Sequence, residues 1–131
     1  MKKIIDMNPN AILSAMQIAD GLNKPGNRRF ETQEIRKGPH ITFEDVLEIA
    51  KQEPDFLFLN WKPQSNGYYT LDSRQIVSVV KKESPKTKVI YCSSVAEMAD
   101  QMFYFETDFF VNNNDSNMRE IITKILNEEP I

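Results

Sequence analysis

The chain has 131 residues, of which 16 are basic and 19 acidic, 40% are apolar, and the net charge is −3. That is the size and composition of one globular domain, residues 1–131, long enough to bury a core without disulfides or metal. A single Cys (Cys92) and a single His (His40) exclude an intrachain disulfide and any Cys- or His-cluster metal site, and the acidic balance argues against a nucleic-acid partner.

Lys2 to Asp6 is a short apolar run closed by an acid, the pattern of a buried strand. Charge follows Ile4-Ile5 too soon for a secretion signal, and no apolar run is long enough to span a membrane, so a cytoplasmic protein is expected. Asn8-Pro9 then starts a helix, with Ile12, Ala15, Met16, Ala19 and Leu22 at helical spacing until Gly21, Pro25 and Gly26 end the run. Residues 24–41 carry the weakest signal. Within them Phe30 to Lys37 alternates loosely, as a polar edge strand would, and Gly38-Pro39 closes it. Thr42 caps the next helix with Asp45 as the capping-box acid, and Phe43, Val46, Leu47, Ile49 and Ala50 form its apolar stripe.

Phe56-Leu57-Phe58-Leu59 is apolar without alternation, which predicts a strand buried on both faces. Asn66-Gly67 marks a turn, and helical spacing returns at Ile76, Val77 and Val80, ending near Ser84-Pro85. Lys88 to Cys92 is another buried strand. Val95, Met98, Ala99, Met102 and Phe105 give a helix face, Asp108 to Val111 a last strand, and Met118, Ile121, Ile122, Ile125 and Leu126 a final helix. Strands alternating with helices of this length predict an α/β fold with a parallel sheet, a (βα)5 three-layer sandwich of flavodoxin-like order 2-1-3-4-5.

In such sheets the site lies beyond the carboxyl ends of the strands. That rule selects Asp6 and Met7, Asn60, Ser93 and Ser94, and Asn112, a set that is polar but nearly uncharged. Here the chain resembles the receiver domain of two-component response regulators. Pro54-Asp55-Phe56-Leu57-Phe58-Leu59-Asn60-Trp61 is similar to the family's third strand, which ends in the phosphoacceptor Asp. Lys81-Lys82-Glu83-Ser84-Pro85 and Lys88-Val89-Ile90-Tyr91-Cys92-Ser93 resemble the approach to the fourth strand, which ends in Ser or Thr. Thr107-Asp108-Phe109-Phe110-Val111 resembles the fifth strand, normally followed by Lys, and Asp6-Met7-Asn8-Pro9 resembles the acidic opening.

The departures from that pattern carry the functional expectation. Asn60 stands for the phosphoacceptor, Met7 for the second acid that ligates magnesium, and Asn112 for the Lys. Ser93 alone keeps its family role, and the loop from Asn60 to Gly67 looks one residue short. A neutral amide is a poor nucleophile, and a thioether is a poor ligand for a hard cation. The resemblance therefore implies a degenerate, non-phosphorylatable pseudo-receiver that is not an enzyme, binds no cofactor or metal, and acts by protein–protein interaction. Its partner would be another protein or a second copy, met through the fourth helix, fifth strand and fifth helix. On that face Phe103 and Tyr104 lie off the apolar stripe, and Phe109 lies in the strand.

Other chemistry fits less well. Gly21 and Gly26 have the spacing of a phosphate-binding loop, but Asn27-Arg28 stands where Lys-Ser/Thr belongs. Residues 7–12 have no hydroxyl with which to hold a flavin phosphate, which leaves a small-ligand enzyme or sensor as the alternative class. A receiver phosphorylated instead at Asp55 or Asp6 is the third reading. Cys92 lies in an apolar strand with no charge near it in sequence, unlike a reactive thiol. Arg28, Arg29, Arg36 and Lys37 form a basic loop suited to solvent or to an anion, and Asn114-Asp115-Ser116 matches a glycosylation acceptor without other signs of secretion.

Overall fold

The apolar run that lacks alternation is the middle of a five-stranded parallel sheet. The computed structural model describes residues 1–7, 15–35, 41–60, 73–93, 106–112 and 116–130. Its strands are β1 (Lys2–Met7), β2 (Phe30–Glu34), β3 (Phe56–Asn60), β4 (Lys88–Ser93) and β5 (Phe109–Asn112). They lie in the order β2-β1-β3-β4-β5, every pair parallel, which is the flavodoxin-like order expected. The described helices are α1 (Ala15–Leu22), α2 (Phe43–Lys51), α3 (Ser73–Glu83) and α4 (Met118–Leu126). The helix expected over Val95–Glu106, with Phe103 and Tyr104 on it, lies outside the described residues except for Glu106. So do Asn8 and Pro9, Arg36 and Lys37, and residues 113–115.

Strand alternation sorts the core into two layers. Ile4, Phe56, Phe58, Ile90, Cys92 and Val111 face α1 and α4. Ile5, Met7, Leu57, Leu59, Val89 and Tyr91 face α2 and α3. Phe56 to Leu59 are all at most 3% exposed, so the unbroken apolar run does report burial on both faces. The helices show one stripe each. Val46, Ile49 and Ala50 of α2 are buried, as are Ile122, Ile125 and Leu126 of α4. Thr42 and Asp45 form the capping box reciprocally, as the sequence indicates. No helix among the described residues is long and apolar enough to cross a membrane.

Two strands begin by the same device. Asp55, just before β3, donates its N–H to Lys3 O (2.9 Å) and accepts the Lys3 N–H on its carboxylate (2.8 Å). Asp108, just before β5, donates to Val89 O (3.0 Å) and accepts the Val89 N–H on its carboxylate (2.8 Å). In each case an Asp side chain replaces the backbone carbonyl that a continued ladder would offer. This explains why β5 starts at Phe109 rather than at Asp108; at its other end Asn112 pairs with Ser93, one residue beyond the expected Val111. The Asp108 carboxylate also pairs with Lys81 at the end of α3. Beside it, buried Thr87 donates its hydroxyl to Pro54 O (2.7 Å) and lies 2.7 Å from the Ser84 hydroxyl, tying the exit of α3 to the entry of β3.

β2 ends at Glu34, with Ile35 already outside it, while Arg36 and Lys37 of the expected span lie outside the described residues. It is an edge strand with an exposed Glu31 and Glu34, a composition that discourages further pairing.

Candidate functional site

The carboxyl ends of the strands hold the residues selected from the sequence, and register fixes their order. Met7 lies opposite Leu59, Asn60 opposite Cys92, and Ser93 opposite Asn112. Met7, Asn60, Ser93 and Asn112 are thus the last residues of β1, β3, β4 and β5, which are consecutive strands of the sheet. Asp6 lies one step back on β1, opposite Phe58.

Asp6 and Met7 do not converge. Consecutive strand residues project to opposite faces. Asp6 is 2% exposed and alternates with Ile4, which belongs to the α1/α4 core layer. Met7 is 6% exposed and packs into the α2/α3 layer with Leu59 and Tyr91. Its thioether fills core volume. Asn112 is half-buried at the end of β5.

Several other sequence candidates resolve plainly. Asp55 sits at the opposite, amino end of β3, held by the Lys3 backbone and 3.9 Å from the Lys86 amine. Cys92 is 1% exposed within the apolar layer beside α1 and α4. Gly21 lies inside α1, while Gly26 adopts φ +78° in the turn that follows, so the two are not parts of one phosphate-cradling loop. Phe109 is half-buried against α4 at the amino end of β5. There it lines an apolar groove of about 520 Å³ with Phe56, Lys88 and Ile125.

No protein-family model matches this sequence, and no curated protein does. Solved structures do. A CheY-like response regulator receiver domain from Methanospirillum hungatei superposes with a TM-score of 0.65 at 20% identity, covering 98% of this chain and 95% of that one. A LuxR-family DNA-binding response regulator from Staphylococcus aureus gives 0.65 at 13% identity, covering 95% and 96%. The response regulator TrrA of Thermotoga maritima, solved with Mg²⁺ and BeF, gives 0.61 at 16% identity, covering 95% and 96%. This is the receiver fold. At these identities the likeness is one of architecture, and within the receiver fold the ends of β1, β3, β4 and β5 form one edge of the molecule. What occupies that edge here is a Met in the core, a buried Asp behind it, and Asn, Ser and Asn at the strand ends.

The device at the strand starts was not read from the sequence. The signal was present as Asp-Phe occurring twice, at residues 55–56 and 108–109, each time opening an apolar run.

Proposed function

We propose that this chain is a receiver-like signalling module that accepts no phosphoryl group at Asn60 and works by binding a protein. The observation that carries the reading is Met7, buried in the core of a sheet whose third strand ends in Asn60. Aspartyl phosphorylation needs an anionic oxygen nucleophile, and the Asn60 side chain is a neutral amide. It also needs a hard cation held by oxygen ligands. A thioether packed among Leu59 and Tyr91 is the wrong donor, and Asp6 alone is a single carboxylate. The donor set does not fit magnesium. Asn112 brings no positive charge to the strand end, where the family's Lys would pair with a phosphoryl group.

With phosphorylation absent, the partner-binding face is constitutive. The face we assign is the helix expected over Val95–Glu106 with β5 and α4, where Phe103 and Tyr104 would supply aromatic contact and Phe109 begins the strand. The partner is another protein or a second copy.

Trp61 follows Asn60 directly and is the one Trp in the chain, which gives a spectroscopic test. Its fluorescence is expected to stay constant when Mg²⁺ and beryllofluoride are added together. A saturable, magnesium-dependent change would overturn the proposal. For the binding face, the doubly substituted Phe103→Ser/Tyr104→Ser protein is expected to lose its associations in sedimentation and pull-down. A folded double variant that keeps every association would move the working surface elsewhere.

A further inference from the structure

The amino end of the sheet, away from Asn60, carries a rigidly built basic corner. After α1 the chain makes a tight turn in which Lys24 and Asn27 bond each other's backbone in both directions (3.2 and 2.9 Å), with Gly26 at φ +78° inside it. Asn23 then clasps the start of β2. Its Oδ1 accepts the N–H groups of Arg29 (2.7 Å) and Phe30 (2.8 Å), and its Nδ2 donates to Phe30 O (2.9 Å). The Phe30 ring is buried in the core. Arg28 and Arg29 are therefore exposed on a segment pinned on both sides. The Arg29 guanidinium lies 5.0 Å from the Phe30 ring centre and donates to Asn127 Oδ1 (2.6 Å) at the end of α4, which holds the fork in one orientation. Lys2, Arg28 and Arg29 line a groove of about 280 Å³ there, with Glu128 paired to Lys2 on its wall, and Lys24 is exposed on the same turn.

We propose that this groove docks a short acidic segment of a partner polypeptide. Guanidinium forks match carboxylates in shape and charge, and an ordered fork loses little freedom on binding. The surroundings set the length of the ligand. Glu31 lies one residue beyond Phe30, Glu128 lines the groove with Glu129 next to it in sequence, and the whole chain is at −3. A long polyanion such as a duplex would meet all of these acids, whereas a few carboxylates can be held by the arginines while Glu128, the one acid among the described residues that line the groove, is already paired to Lys2. The site is separate from the strand ends around Asn60 and does not depend on whether that edge is phosphorylated.

The test is an amide NMR titration of the whole chain at low salt with a capped hexapeptide of alternating Glu and Asp. Saturable shifts confined to Lys2, Lys24 to Phe30 and Asn127, lost at high salt, are expected. The Lys24→Glu/Arg28→Glu protein changes two exposed side chains and should keep its remaining amide shifts while binding about tenfold more weakly or worse. Four results would overturn the proposal. They are shifts scattered over the surface, undiminished binding by the double variant, equal shifts from inorganic phosphate alone, and tighter binding of a short DNA duplex than of the peptide. Concentration-dependent shifts at the same residues without peptide would also overturn it, since the occupant would then be a second copy of this chain.

Discussion

Glu53 and Glu128 each follow a helix end in the left-handed region, at φ 47° and 57°. Both belong to the hydrogen-bonded turn that closes a helix. Glu53 N–H reaches Ala50 O (2.9 Å), and Glu128 and Glu129 reach Ile125 O (3.0 Å) and Lys124 O (2.9 Å). Gly suits that position better than any residue with a Cβ. Glu53→Gly should therefore raise stability by about 0.5–1 kcal/mol, read as a higher urea midpoint. A lower midpoint would mean that the Glu53 side chain does something the backbone argument omits. Glu128→Gly should gain less, because it also removes the exposed pair with Lys2, an interaction in the range of about 0–1 kcal/mol. These positions were not legible in advance. Pro54 and Pro130 mark the stops one and two residues later, but Glu gives no hint of positive φ. Met7 was half legible. Reading it as a lost ligand position was a matter of resemblance, while its place in the core follows from alternation with Ile5. Met7→Leu should cost less than about 1.5 kcal/mol, and Met7→Asp about 3–5 kcal/mol for burying a carboxylate among Leu59 and Tyr91, both by urea denaturation. Equal stability of the Asp variant would contradict the packing.

At the scale of elements, the strands and helices with strong patterning were readable because burial leaves a direct imprint on sequence. The run Phe56–Leu59 and the capping box of α2 are examples. β2 is legible only loosely in the sequence because an edge strand has little apolar alternation to show. β5 starts one residue later than its apolar pattern suggests because its boundary is set by the Asp108 carboxylate accepting the N–H of Val89, 19 positions away, which no local pattern records. That bond and its twin at Asp55 are what aligns the amino ends of the sheet. Asp108→Ala strips the Val89 N–H of its acceptor and leaves Lys81, 18% exposed, without its carboxylate, so a loss of about 1.5–3 kcal/mol is expected. Amide exchange should localise the effect: the Val89 N–H should lose protection before the centre of β4 does. Uniform loss across the strand, or none, would show that the tie is not what holds that end. Thr87→Val should cost about 1–3 kcal/mol for the same class of reason, since Pro54 O loses its buried donor.

For the molecule as a whole, two core layers hold the fold. The layers are built from strand centres and helix stripes, whereas Asn60, Ser93 and Asn112 occupy the last position of each strand. The architecture is therefore legible from periodicity, while the role proposed for the edge rests on resemblance. Converting this edge into a phosphorylatable one therefore takes more than a single change. Asn60→Asp supplies a nucleophile but leaves Met7 where a metal ligand is needed and Asn112 where a cation is needed, and adding Met7→Asp charges the core. The triple change Asn60→Asp, Met7→Asp, Asn112→Lys is expected to gain phosphorylation only at a marked loss of stability. The most direct measurement is the intact mass of the wild type and of Asn60→Asp after incubation with acetyl phosphate and Mg²⁺. The expected result is no added phosphoryl group on the wild type and no stable one on Asn60→Asp. A gain of one phosphoryl group by the wild type, or ready uptake by Asn60→Asp alone, would contradict a receiver fold that signals without phosphorylation.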